Sequence, residues 1–180
     1  DNEINKMAEI LQSESTTLLV PGIAGIGKTA LAAKLIERFT HRRNLLYHRC
    51  QDWEGSRAFL EACAEWLSLI GNNDLSDYIA SSAVPQPTMA VNLIIDGMEN
   101  APGLIVIDDL HKVADENLIS ILRALTIRVP DADEFGLVMF SHSFRMVVPE
   151  TNSSGNKITH FIPLEGLDQD SSRLILTAMP

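Results

Sequence analysis

The chain has 180 residues, 46% hydrophobic and 21% charged, which is enough to bury one domain-sized core. No run approaches the roughly 18 consecutive apolar residues of a membrane span, so no membrane partner is expected. The formal charge of −10 argues against nucleic acid as a partner of this domain, because an acidic surface repels a polyphosphate backbone.

The chain opens DNEINK, with neither an initiator Met nor a basic-then-apolar leader, and it stops at TAMP shortly after a new helical pattern begins. It is therefore expected to be a piece of something longer. Residues 16–21 (TTLLVP) read as a buried strand entering a glycine-rich turn. A helix over 28–40 follows, with Ala32, Leu35, Ile36 and Phe39 on one face, and then a strand over 44–50. Residues 56–70 carry Phe59, Cys63, Trp66 and Ile70 at helical spacing and stop at Gly71 and Asn72. Cys50 and Cys63 lie in apolar surroundings without metal spacing, which predicts buried free thiols. With the missing leader they point to a reducing cytoplasm.

A loop is expected around 81–87 and a helix over 88–99, with Ala90, Ile94 and Met98 aligned. Residues 104–109 (LIVIDD) have the apolar run of a strand buried on both faces, ended by two acids. The pattern over 115–127 is a helix with Leu118, Ile121, Leu122 and Leu125 inward, and with Asp115 and Glu116 at its positive end. Residues 136–142 and 158–164 are two more strands, and a helix begins at 168–178 as the start of a following segment. Strands alternating with helices predict an α/β fold, a three-layer αβα sandwich around a mainly parallel five-stranded sheet.

Two motifs carry chemistry. Gly22, Ile23, Ala24, Gly25, Ile26, Gly27, Lys28 and Thr29 match G-x-x-x-x-G-K-[ST], the phosphate-binding loop, with Ala30 next in the helix it opens. Glycines let consecutive N–H groups turn inward on an anion, and the helix aims its positive end at the same point. Lys28 supplies a full charge to the β- and γ-phosphates, and the Thr29 hydroxyl is a Mg2+ ligand. The second motif is the acid pair. Ligands of parallel sheets sit at the carboxyl ends of strands, which makes Asp108 the expected partner of Mg2+ and Asp109 the group that orients or deprotonates water. Asp109 is one carbon shorter than a glutamate, about 1.5 Å less reach, so hydrolysis is expected to be slow or conditional.

Ser141, His142 and Arg145 offer polar groups near the same edge and are candidate γ-phosphate sensors. His111 and Lys112 read as loop residues rather than ligands, and the five histidines show no zinc spacing.

On GIAGIGKTALA, LIVIDDLHKV, FSHSFR and FIPLEGLDQDSS the chain resembles the STAND class of P-loop NTPases, the group of NB-ARC and NACHT domains and related archaeal and bacterial regulatory ATPases. The stretch YHRCQDWEGSRAFLEACAEWL is similar to the segment after the second strand of archaeal members. The resemblance covers most of the chain. It implies a sheet order of 5-1-4-3-2 and a switch that is ADP-bound at rest and ATP-bound when active, often through oligomerisation. It also places the sensor on His142 or Arg145, adenine contacts partly on Asn2–Ile4, and a helical lid and winged helix beyond Pro180.

The expected function is thus an ATP/ADP-binding regulatory domain with slow Mg2+-dependent hydrolysis of the β–γ bond, acting alone or with itself or a downstream protein as partner. Two alternatives remain. One is an AAA-like turnover ATPase, which needs an arginine finger and has Arg145 as its candidate. The other is an interaction module that holds nucleotide without hydrolysis.

Overall fold

In the computed structural model, residues 2–82, 84–99, 101–142, 149–151, 155 and 157–164 are described. Five parallel strands form the sheet: β1 (Thr16–Pro21), β2 (Asn44–Arg49), β3 (Gly103–Asp108), β4 (Phe135–Ser141) and β5 (Thr159–Phe161). Their order is β2-β3-β4-β1-β5, the order implied by the resemblance read from the other edge.

The central strands are apolar on both sides because both sides are covered. In β3, Leu104 and Val106 join one core and Ile105 and Ile107 the other, following the two-residue period of a strand. The first core is closed by α1 (Asn2–Ser13) and α2 (Lys28–Phe39), through Met7, Leu11, Ala32, Leu35 and Phe39. The second is closed by α3 (Ser56–Ser68), α4 (Asp74–Ser81), α5 (Pro87–Asp96) and α6 (Glu116–Arg128). Each fully buried Leu, Ile or Phe contributes about 1.5–3 kcal/mol, so these two layers fix the sheet on which the site is mounted.

Two helices depart from the sequence reading. α1 is a full helix over a stretch to which the sequence reading assigned no element. α4 lies between the expected stop at Gly71 and the expected loop at 81–87. The β5 region is shorter than the 158–164 pattern, although Ile162 N still donates to Leu19 O at 2.9 Å and Leu164 N to Pro21 O at 2.8 Å. The helix expected over 168–178 lies outside the described residues. Cys50 and Cys63 are buried free thiols, and burial pushes the Cys50 thiol up to about 12.

Asp115 fastens two helices at once. Its Oδ1 accepts from Asn117 N and Leu118 N at 2.7 and 3.2 Å, which caps α6. Its Oδ2 accepts from Ser56 N at 2.6 Å at the start of α3. Burial alone would raise its pKa, but these amide donors hold the carboxyl below its ordinary range.

Candidate nucleotide site

The phosphate loop leaves β1 at Pro21 and runs into α2 at Lys28. Gly25 and Gly27 take φ of 79° and 99°, the left-handed region that costs an L side chain roughly 1–2 kcal/mol. Gly22 is needed for a different reason. A Cβ there would stand 3.0 Å from Ile26 Cγ2 and 3.1 Å from Leu164 Cβ. Gly22 N donates to Ser141 O at 3.0 Å, which ties the loop to the end of β4.

The first intrahelical bond of α2 beyond the loop is Leu31 N to Gly27 O at 2.9 Å. The amides of Lys28, Thr29 and Ala30 therefore belong to the helix's first turn, where N–H groups have no carbonyl within the helix. Ile23, Ala24, Gly25, Gly27, Thr29 and Ala30 are exposed, so the loop's surface is open to an anion. Lys28 is only 5% exposed. Its Nζ donates to Gly22 O at 2.7 Å and to Ile23 O at 2.8 Å, which curls the ammonium back over the loop. Burial lowers its affinity for the proton, while Asp108 and Asp109 work in the opposite direction.

Asp108 is fully buried at the end of β3. Strand β4 separates β3 from β1, yet α2 packs over both β3 and β4 and carries Thr29 to the acid. Thr29 Oγ1 donates to Asp108 Oδ2 at 2.7 Å, and Tyr47 Oη donates to the same oxygen at 3.2 Å. Two neighbouring ligands of an octahedral Mg2+ with bonds of about 2.0–2.1 Å lie about 2.9 Å apart. At 2.7 Å the Thr29–Asp108 pair is close to that spacing, so these residues fit a magnesium ion. When bound, such an ion neutralises phosphate charge and orients the γ-phosphate. Burial and the carboxylate together push the Tyr47 phenol up to about 12, leaving it a donor throughout the physiological range.

Asp109 sits in another environment one residue on. Its backbone is left-handed, with φ of 58°, and its N–H donates to Asp108 Oδ1 at 2.8 Å. Its Oδ2 accepts from Arg49 Nε at 2.9 Å and Lys112 Nζ at 3.0 Å. Burial opposes ionisation, but the two cations outweigh it and hold this carboxyl below its ordinary range. A carboxylate so held is a weaker proton acceptor.

His111 and Lys112 lie in a short 3-10 turn, Leu110–Lys112, rather than in an open loop. His111 stacks on His142, with ring centroids 3.6 Å apart and planes 17° apart. Burial, with His142 adding to it, keeps the His111 imidazole more readily neutral than usual. Ser141 is buried at the end of β4. Arg145 lies outside the described residues, so of the sensor candidates Ser141 and His142 are the two that the structure locates at this edge.

The sequence reading missed Tyr47, Arg49 and Lys112. Tyr47 and Arg49 share one face of β2 by the two-residue period, and Arg49 pairs in register with Asp108 across β3. That alternation was the available signal.

Two clefts lie at opposite ends of the strands. One of about 290 Å³ is lined by Asn2, Glu3, Lys6, Ile162 and Pro163, directly before the Leu164 that touches the loop. The other, about 460 Å³, is lined by Leu11, Glu14, Arg42, Arg43 and Glu134 among others. It sits at the amino ends of the strands, away from the edge where parallel sheets bind ligands.

Comparison with known proteins places this geometry in a family. The model of the AAA domain matches residues 11–143. Comparison with curated proteins finds no match. Among solved structures, the Aeropyrum pernix ORC1 protein in complex with DNA is similar at a TM-score of 0.65 and 17% identity, over 98% of this chain and 47% of that one. Cdc6p from Pyrobaculum aerophilum is similar at 0.67 and 16%, over 98% and 48%. A chain of Drosophila ORC bound to DNA is similar at 0.54 and 13%, over 96% and 94%. This chain spans about half the length of the Aeropyrum and Pyrobaculum chains.

These likenesses share the fold, and they correct one expectation. Nucleic acid was excluded on the charge of −10, yet the same fold recurs in chains solved with DNA. The physical reason is that a phosphate contact is local, while net charge is a sum over the whole surface. On the membrane side, no helix among the described residues is long and apolar enough to cross a bilayer. With the family model covering most of its length, the chain belongs to the AAA domain family and is a P-loop ATPase domain.

Proposed function

We propose that this domain binds ATP and ADP with Mg2+ at the phosphate loop and hydrolyses the β–γ bond slowly, as a nucleotide-controlled switch of the kind the STAND resemblance implies. The observation that carries the reading is the 2.7 Å contact of Thr29 Oγ1 with Asp108 Oδ2 beside the Lys28 ammonium. In this reading the loop amides from Gly22 to Ala30 and Lys28 hold the phosphates, and Thr29 and Asp108 hold the magnesium. Adenine rests in the cleft beside Asn2, Lys6 and Pro163. Asp109 positions water but is a reluctant base under Arg49 and Lys112, which favours slow turnover. Replacing Lys28 with Ala tests it. Nucleotide binding and single-turnover hydrolysis should fall at least about a hundredfold with the circular dichroism spectrum unchanged. Wild-type levels of both would overturn the assignment.

The family match favours a second reading, a turnover ATPase of an AAA assembly working on DNA as the Aeropyrum and Drosophila relatives are bound to it. A steady-state rate that climbs steeply with protein concentration, together with salt-sensitive DNA binding, would select this reading over the switch.

A further inference from the structure

We infer that Asp109, His111 and His142 form a site for one divalent cation of the zinc class, distinct from the Thr29–Asp108 magnesium pair. The ligand atoms of the three residues all lie within 4.8 Å of one another. The set is two imidazoles and one carboxylate. Such a mixed nitrogen and oxygen set suits zinc, cobalt or nickel, whereas magnesium prefers oxygen alone. Two neighbouring cation sites of different hardness therefore share this edge of the sheet.

The fold explains why no metal spacing is visible along the chain. Asp109 and His111 come from the turn after β3, and His142 from the residue after β4, its neighbour in the sheet. A helix and the whole of β4 separate the second and third ligands along the chain, so the triad exists only once β3 and β4 are paired.

Bonds of about 2.0–2.1 Å put the ligand atoms of a tetrahedral ion about 3.4 Å apart. Seating an ion requires the two imidazoles to separate and tilt out of their 17° stack so that their lone pairs converge. Arg49 and Lys112 both occupy Oδ2 of Asp109. An incoming cation meets their charge and competes with them, so binding is weaker than in a closed four-ligand structural site. Three protein ligands leave one coordination position to water.

Cobalt chloride titrated into the full chain, with excess Mg2+ present to fill the oxygen site, tests the inference through the visible absorption of Co2+. One saturable equivalent should appear and be displaced by Zn2+. His111→Ala and His142→Ala should each weaken it at least about tenfold, and His111→Asn and His142→Gln should do the same in proteins whose circular dichroism is unchanged. Thr29→Ala should leave Co2+ uptake as it is. Equal uptake in the wild type and all four histidine variants, or loss of uptake in Thr29→Ala, would overturn the site.

Discussion

The phosphate loop and the acid turn stand at the same edge of the sheet and are built in opposite ways. The loop is one uninterrupted run, Gly22 to Thr29, whose curl comes from its own glycines and whose lysine bonds to its own carbonyls five and six residues back. The acid turn is two residues whose properties are set from elsewhere. Asp108 takes Thr29 and Tyr47, 79 and 61 residues away, and Asp109 takes Arg49, 60 residues away, together with the nearby Lys112. A function written into contiguous backbone is readable from a motif, whereas one assembled across strands depends on the pairing of the sheet.

That contrast can be broken or sharpened by substitution. The largest stability effect is expected on the assembled side, at Asp115, which bonds to both Ser56 N and the first turn of α6. Asp115→Ala should cost about 2 kcal/mol, a cap plus a second amide bond, measured by urea denaturation. A loss under about 0.5 kcal/mol would mean that one of the two helices is held without it.

Gly22→Ala comes next and probes the loop's dependence on Leu164. The added methyl meets Ile26 and Leu164 at 3.0–3.1 Å, so a loss of about 1–2 kcal/mol is expected from overpacking. An unchanged melting curve would show that Leu164 gives way freely.

Arg49→Ala removes one of the two cations on Asp109. If that clamp restrains the base, single-turnover hydrolysis should rise about two- to fivefold, the scale of an exposed ion pair. A lower rate would instead give Arg49 a direct role on phosphate.

The smallest effect is the acid limb of stability. Asp109 has its folded-state proton affinity depressed, so its contribution is complete above the ordinary carboxylate range near pH 4 and is lost as pH falls below it. Between pH 6 and 9 it should be flat. Asp109→Asn should make the fall below pH 4 shallower than in the wild type, and an identical fall in both proteins would remove Asp109 from the account.

The strand order came only with the family resemblance, whereas the central strands and the loop were legible because each rests on a local pattern, an apolar run or a glycine spacing. α4 was not. Its helix Asp74–Ser81 follows Gly71, Asn72 and Asn73 and runs close to Pro85 and Pro87, so turn signals on both sides outweighed the buried Leu75 and Ile79. α1 was overlooked as a helix although Ile4, Met7, Ala8 and Leu11 are spaced for one face. The Arg49 partner of Asp109 was harder to read. It looks like a solvated charge until β2 is laid beside β3, whereas Lys112 lies only three residues along the chain.

One small contact has mechanical weight. Leu164 donates its N–H to Pro21 O at 2.8 Å and sets its Cβ against the place where a side chain on Gly22 would go. The polypeptide leaving the fifth strand is thereby buttoned to the first glycine of the loop. Displacing Leu164 would therefore disturb Gly22, and by thermodynamic reciprocity a change in the shape of the loop would be felt at Leu164.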